Sequence, residues 1–207
     1  MKVEKTCGVS GRPRSFCVDD ALDKALRVFW QKGYDGASLT DLTEAMGINR
    51  PSLYAAYGNK ETLFLKVLDR YAEVYSGFVP KAMEEVTAYQ VVESLLKGAA
   101  EAMSDPCKPR GCLGVQGALS CSESASFARD VLANRRNQMQ EMLATRLERA
   151  KKEGDLGSSS DPAALAFFIA TMIQGMSVQS TSQATRKDLD AAVAVALAAF
   201  KNAANPD

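Results

Sequence analysis

In this 207-residue chain the side chains best suited to chemistry are the donors and cations between Ser38 and Lys60, SLTDLTEAMGINRPSLYAAYGNK. Arg50, Ser52 and Tyr54 fall in the first turns of one short helical stretch, where side chains can reach base edges or phosphates in a DNA major groove. Thr40, Tyr57 and Lys60 are placed to donate to phosphate oxygens. A lysine in the first turn of a helix opposes the macrodipole, which makes sense where an anion sits at that end. Taken singly, Lys60 reads as a solvated surface lysine, and only its neighbours give it the other meaning.

Other chemistry finds little support. The chain has no histidine, so the commonest metal ligand and general base are missing. It shows no glycine loop ahead of Lys-Ser/Thr and no Gly-x-Ser-x-Gly elbow. No catalytic residue, cofactor or metal site is expected. Five cysteines in a chain read as cytosolic do not make a disulfide framework. Cys107, Cys112 and Cys121 invite a thiol-switch or soft-metal reading. Cys107 is the sharpest of them, since it lies in a proline-bounded loop beside Lys108 and near Arg110, and neighbouring cations favour thiolate. The plainer reading is that all three are inert, two of them buried as small hydrophobes.

The elements that carry the donors are legible in their end signals. Ser38 caps a helix, and Asp41 three residues on suits its positive end. Leu39, Leu42 and Met46 share one face. Gly47 ends that helix, Asn49 caps the next and Pro51 sits in its first turn. Gly58 stops the second helix, and Asn59 caps a third beginning at Lys60. Two short helices joined by a glycine turn predict a helix-turn-helix.

From Ala21 to Leu65, through ALDKALRVFWQKGYDGAS and SLTDLTEAMGINRPSLYAAYGNKETLF, the chain resembles the DNA-binding domain of the TetR family of bacterial transcriptional regulators. The resemblance covers about the first third. It implies a homodimer bound to a near-palindromic double-stranded DNA operator, usually as a repressor, and a small-molecule effector that shifts the dimer to a spacing unfit for two half-sites. Ala55 and Ala56 offer less polar reach than many relatives have, so base readout would rest on Arg50 and Ser52. The alternative is a thiol- or metal-responsive regulator on the same scaffold.

Charge is balanced, with 25 basic and 25 acidic side chains. Its distribution is mildly uneven, because Lys2, Lys5, Arg12 and Arg14 face only Glu4 in the first fourteen residues. Residues 1–15 are expected to form a flexible basic arm, with Arg12 and Arg14 as candidate DNA contacts. Residues 16–60 are expected to form the helix-turn-helix domain. Residues 61–207 would form a larger helical domain for effector binding and dimerisation. The longest apolar runs are too short to span a bilayer and the N-terminus has no apolar signal core, so the protein is read as cytoplasmic with no membrane partner.

The remainder reads as helix throughout, giving an all-α fold of about nine helices. Gly33 should end the first of them, and residues 78–86 form at most a short extension. Arg135, Arg136, Arg146, Arg149, Lys151 and Lys152 follow one long helix as a solvated face. Met103, Phe127, Met139, Met142, Phe168 and Met172 supply adaptable apolar volume for a ligand pocket. The last two helices are apolar on more than one face and predict a dimer interface with Phe167, Ala191, Val195 and Phe200 in it.

Overall fold

The computed structural model of the protein describes residues 17–119 and 126–204. The expected arm, with Arg12 and Arg14, and Cys121 lie outside the described residues. Ten helices, α1 (Val18–Gly36), α2 (Leu39–Met46), α3 (Arg50–Tyr57), α4 (Lys60–Tyr75), α5 (Phe78–Met83), α6 (Ala88–Ser104), α7 (Leu113–Leu119), α8 (Ser126–Lys152), α9 (Pro162–Thr181) and α10 (Arg186–Ala204), account for the regular structure, with no strand among the described residues.

The tenth helix is α5, in the segment expected only to extend its predecessor. Pro80 is its third residue, where a helix has no intrahelical N–H bond to lose. Its Phe78 ring lies against α6, and a Cβ on Gly98 would stand 2.6 Å from that ring. Gly98 therefore lets the two helices meet. Helix α6 opens at Ala88, where Thr87 and Gln90 form a capping box that satisfies two orphan N–H groups. Gly33 does break α1, at φ 68°, but a further turn follows to Gly36.

Two apolar cores form. The first packs Leu26, Phe29 and Trp30 of α1 on Leu42, Leu53, Leu63 and Phe64, and it also takes in Leu113 of α7 and Ala128 and Leu132 of α8. The second gathers Val92, Leu95 and Leu96 of α6, Leu143 and Leu147 of α8, Ile169 of α9 and Phe200 of α10. The four-helix head thus shares its core with the body. A bidentate pair fixes α4 on α1, with Arg70 Nε and Nη2 donating to Asp23 at 2.7 and 3.0 Å.

The basic run along α8 is not a uniformly solvated face. Arg146 is buried, and it donates to the carbonyls of Met83, Glu85 and Val86 at and just beyond the end of α5. A guanidinium with several donors suits carbonyls that a short helix leaves unpaired. Arg135 turns to Asp69 of α4 and Arg136 to the Gly114 carbonyl of α7. Helix α9 has a mean hydropathy of 1.3, and by length and composition it could cross a membrane. Here it packs against α6, α8 and α10.

Candidate nucleic-acid interface and ligand cavity

The reading head is built from its caps. Asp41 N–H donates to Ser38 Oγ at 3.0 Å, and Ser38 N–H returns a bond to Asp41 Oδ2 at 2.9 Å. Lys32 Nζ reaches Asp41 at 2.6 Å. The Lys32 bond above all, and then those from Ser38, bring the Asp41 carboxyl down to about 2. Gly47 takes the left-handed conformation, φ 69° and ψ 33°, that the turn requires and that side chains with a Cβ resist. Asn49 Oδ1 then accepts from Ser52 N–H at 2.9 Å to open α3, and Asn59 Oδ1 does the same for Thr62 N–H at 2.8 Å to open α4. Leu42 and Leu53 lock the two short helices onto α1.

This arrangement brings several of the sequence candidates together. Arg50 Nη2 donates to Thr40 Oγ1 at 3.0 Å, so the starts of α2 and α3 present one exposed donor pair. Tyr54 is 48% exposed one turn further along α3, and Ser52 is half-buried beside it. Lys60 is half-buried at the start of α4 with its ammonium 4.4 Å from the centre of the Tyr34 ring. Burial lowers its pKa, and Asp35 pulls the other way. Tyr57, expected on a phosphate, is a core residue instead. It is 2% exposed, and its hydroxyl donates to the Val18 carbonyl at 2.7 Å. Local sequence does not reveal this burial, because it depends on α1, which is distant in sequence.

Beneath the head lies a cavity of about 570 Å³ between α1, α4, α5, α6, α7, α8 and α9. Met103, Met139 and Met142 line it. Phe127 does not; it packs into the head core beside Tyr34, because the start of α8 belongs to that core. Phe168 and Met172 pack on the body core on a different side of α9. The sequence reading missed the aromatic wall formed by Trp30, Tyr71 and Tyr75. The indole stands edge-on to both tyrosines, at 4.9 and 5.0 Å between ring centres. Tyr71 and Tyr75 recur at helical spacing in α4, and spacing alone does not say that their face meets space. Cys112 is also on the wall, with its sulfur 3.3 Å from the Tyr71 hydroxyl. Burial, and then Cys112, push the Tyr71 phenol well up. Cys107 is exposed in its loop, where its N–H donates to Asp105. No cluster of three metal-binding side chains occurs among the described residues.

On the far side of the body α9 and α10 present apolar residues to solvent. Phe167 is 62% exposed and Val195 71%, and Ala191 is exposed beside them. Phe200, expected with them, is 1% exposed and belongs to the protomer's own core. It falls on the Leu189–Val193–Ala196 stripe that packs inward.

Residues 21–67 match the family described as "Bacterial regulatory proteins, tetR family", and residues 88–196 match the "Tetracyclin repressor-like, C-terminal domain". The chain is 33% identical over 181 residues to the HTH-type transcriptional repressor ComR of Escherichia coli K12, covering 86% of each protein. It is 37% identical over 120 residues to the repressor BdcR of the same organism, covering 56% of this chain and 60% of that one. Among solved structures, a cysteine mutant of the TetR family regulator CifR, complexed with a 26-bp double-strand operator DNA, superposes with a TM-score of 0.87. It is 39% identical, and the match spans 91% of this chain and 99% of that one. The donors gathered on α2 and α3, the all-helical body and these matches along both halves lead to one conclusion: the chain belongs to the TetR family of DNA-binding transcriptional repressors.

Proposed function

We propose that the protein acts in the cytoplasm as a homodimer that occupies a palindromic operator and is released when a small molecule fills the cavity. The observation that carries this reading is the double duty of α4. Its first half supplies Leu63, Phe64 and Val67 to the head core, and its second half supplies Tyr71 and Tyr75 to the cavity wall. A ligand pressing on the second half has a rigid lever to the first, which is the kind of two-site element coupling requires. Arg50, Ser52 and Tyr54 would meet bases or phosphates, and Thr40 and Lys60 would meet phosphates. Helices α9 and α10 of two protomers would cover their exposed apolar faces around a two-fold axis. The protein would work by binding alone, with no catalytic step.

The test is operator binding by fluorescence anisotropy, using DNA fragments flanking the protein's own gene. Affinity should fall steeply with salt, because phosphate contacts release counterions. Lys60→Ala should weaken binding to every sequence alike and flatten the salt slope by about 1, whereas Arg50→Ala should relax sequence preference. An unchanged slope for Lys60→Ala removes Lys60 from the phosphate contacts.

One observation favours a second reading, a thiol-responsive repressor. The Cys112 sulfur shares the cavity wall with the Tyr71 hydroxyl, whereas Cys107 stands outside in its loop. A switch would therefore run through Cys112. Reversible peroxide release of the wild type from operator that is lost in Cys112→Ser but kept in Cys107→Ser would select it over the first.

A further inference from the structure

The cavity wall is chemically lopsided. Most of it is apolar or aromatic, from Trp30, Tyr71, Tyr75, Met103 and Met139. Three cations, Lys108, Arg135 and Arg136, line it as well, and no carboxylate does. Two of the three are matched from outside the cavity: Arg135 pairs with Asp69 at 2.6 Å and Lys108 with Asp105 at 3.0 Å. Arg136 is different. Its Nη1 donates to the Gly114 carbonyl at 2.6 Å, and no carboxylate among the described residues reaches it. A half-buried guanidinium with one neutral acceptor among the described residues keeps donors and charge to spare. A second group on the wall also wants an acceptor. Trp30 is 4% exposed, and its indole Nε1 has no hydrogen-bond partner among the described residues. A buried N–H without an acceptor is uncommon and costs free energy until one arrives.

Building on the effector reading above, we infer that the ligand of this cavity is an amphipathic anion, an apolar carboxylic acid in its ionised form. Its carboxylate takes the free donors of Arg136, a geometry that guanidinium and carboxylate share in bidentate pairs. Its apolar body lies among the aromatic rings and methionines, which adapt to irregular shapes. A cationic ligand is disfavoured by the same three charges, and a neutral one leaves the guanidinium unmatched.

Trp30 makes the test direct, because it is the chain's single tryptophan and stands on the cavity wall. Three probes of one shape are titrated into the full-length protein while tryptophan emission is followed: 4-phenylbutyrate, 4-phenylbutanol and 4-phenylbutylamine. Operator release is measured on the same samples. The anion should bind at least about tenfold more tightly than the alcohol, with the amine weakest. Arg136→Met should erase the anion's advantage while keeping alcohol binding, and Arg136→Lys should keep part of it. Equal binding of alcohol and anion, or an anion preference that survives in Arg136→Met, overturns the inference and leaves the effector reading intact. Anion-selective quenching without operator release supports the ligand class and defeats the effector reading instead. Silence of the tryptophan toward all three probes at millimolar concentration overturns the inference.

Discussion

Tyr57→Phe decides between a phosphate contact and a structural anchor at the end of the recognition helix. The change removes only a hydroxyl, which donates to the Val18 carbonyl at 2.7 Å from a side chain 2% exposed. That bond ties the last turn of α3 to the first residue of α1, thirty-nine positions away. A buried neutral hydrogen bond contributes about 1 kcal/mol net. In a chain of this size that corresponds to a drop in Tm of roughly 2–4 °C. The ring itself stays, so the packing of Leu53 and its neighbours is preserved. Calorimetry on wild type and variant measures the first quantity, and anisotropy with labelled operator measures the second. The expected result is a lower Tm with operator Kd unchanged within about twofold. If the hydroxyl met a phosphate, a charged acceptor, the loss would appear in binding as at least about tenfold weaker affinity. An unchanged Tm together with that weaker binding would refute the structural assignment.

Two further perturbations address other parts of the molecule. Val195→Asp places a carboxylate on the exposed apolar face of α10, where Val195 is 71% exposed; sedimentation should then show monomers, with operator binding lost and the fold retained by circular dichroism. A wild type that sediments as a monomer at micromolar concentration would remove this face as the dimer interface. Asp41→Asn tests the cap of α2 through pH. The folded Asp41 value, about 2, lies below its ordinary 3.8. Its stabilisation is therefore complete above the unfolded value and disappears as pH falls through the folded one. The variant should unfold at lower urea than wild type near neutrality, and the gap should narrow between about pH 4 and about pH 2. A gap of constant size would assign the loss to something other than the carboxylate's charge.

The head was legible because its determinants are local. Ser38, Gly47, Asn49, Pro51 and Asn59, and Asp41 in its bonds to Ser38, act within four residues of themselves, so their types fix caps and turns without knowledge of the rest. The cavity was only half legible for the opposite reason. Met103, Met139 and Phe127 all lie on inward stripes, yet whether a stripe meets space or another side chain depends on how α4 and α8 cross. Phe127 met Tyr34, and Met139 met the cavity. The cations of α8 show the same limit. Arg146 and Arg149 are three residues apart in one basic run, but the first meets the carbonyls beyond α5 and the second meets Glu153 in solvent. Charge periodicity carries no record of which neighbour arrives. Phe200 and Val195 likewise sit on two apolar faces of α10, and composition does not say which is covered by its own chain.

The shared core of head and body bears on how such proteins can be recombined. Leu113, Ala128 and Leu132 belong to the same apolar cluster as Phe29 and Phe64, so a cut through α4 does not separate two self-sufficient pieces. A chimera that grafts a foreign head onto this body at that point would face three mismatched side chains from α7 and α8, and each imperfect fit would open a void or force a clash. Transplanting operator preference would therefore require carrying these positions along with α1 to α4, or confining the exchange to the exposed residues of α2 and α3. On the same grounds, substitutions in α7 are constrained from two sides at once: by the cavity they help to enclose, and by the head whose underside they fill.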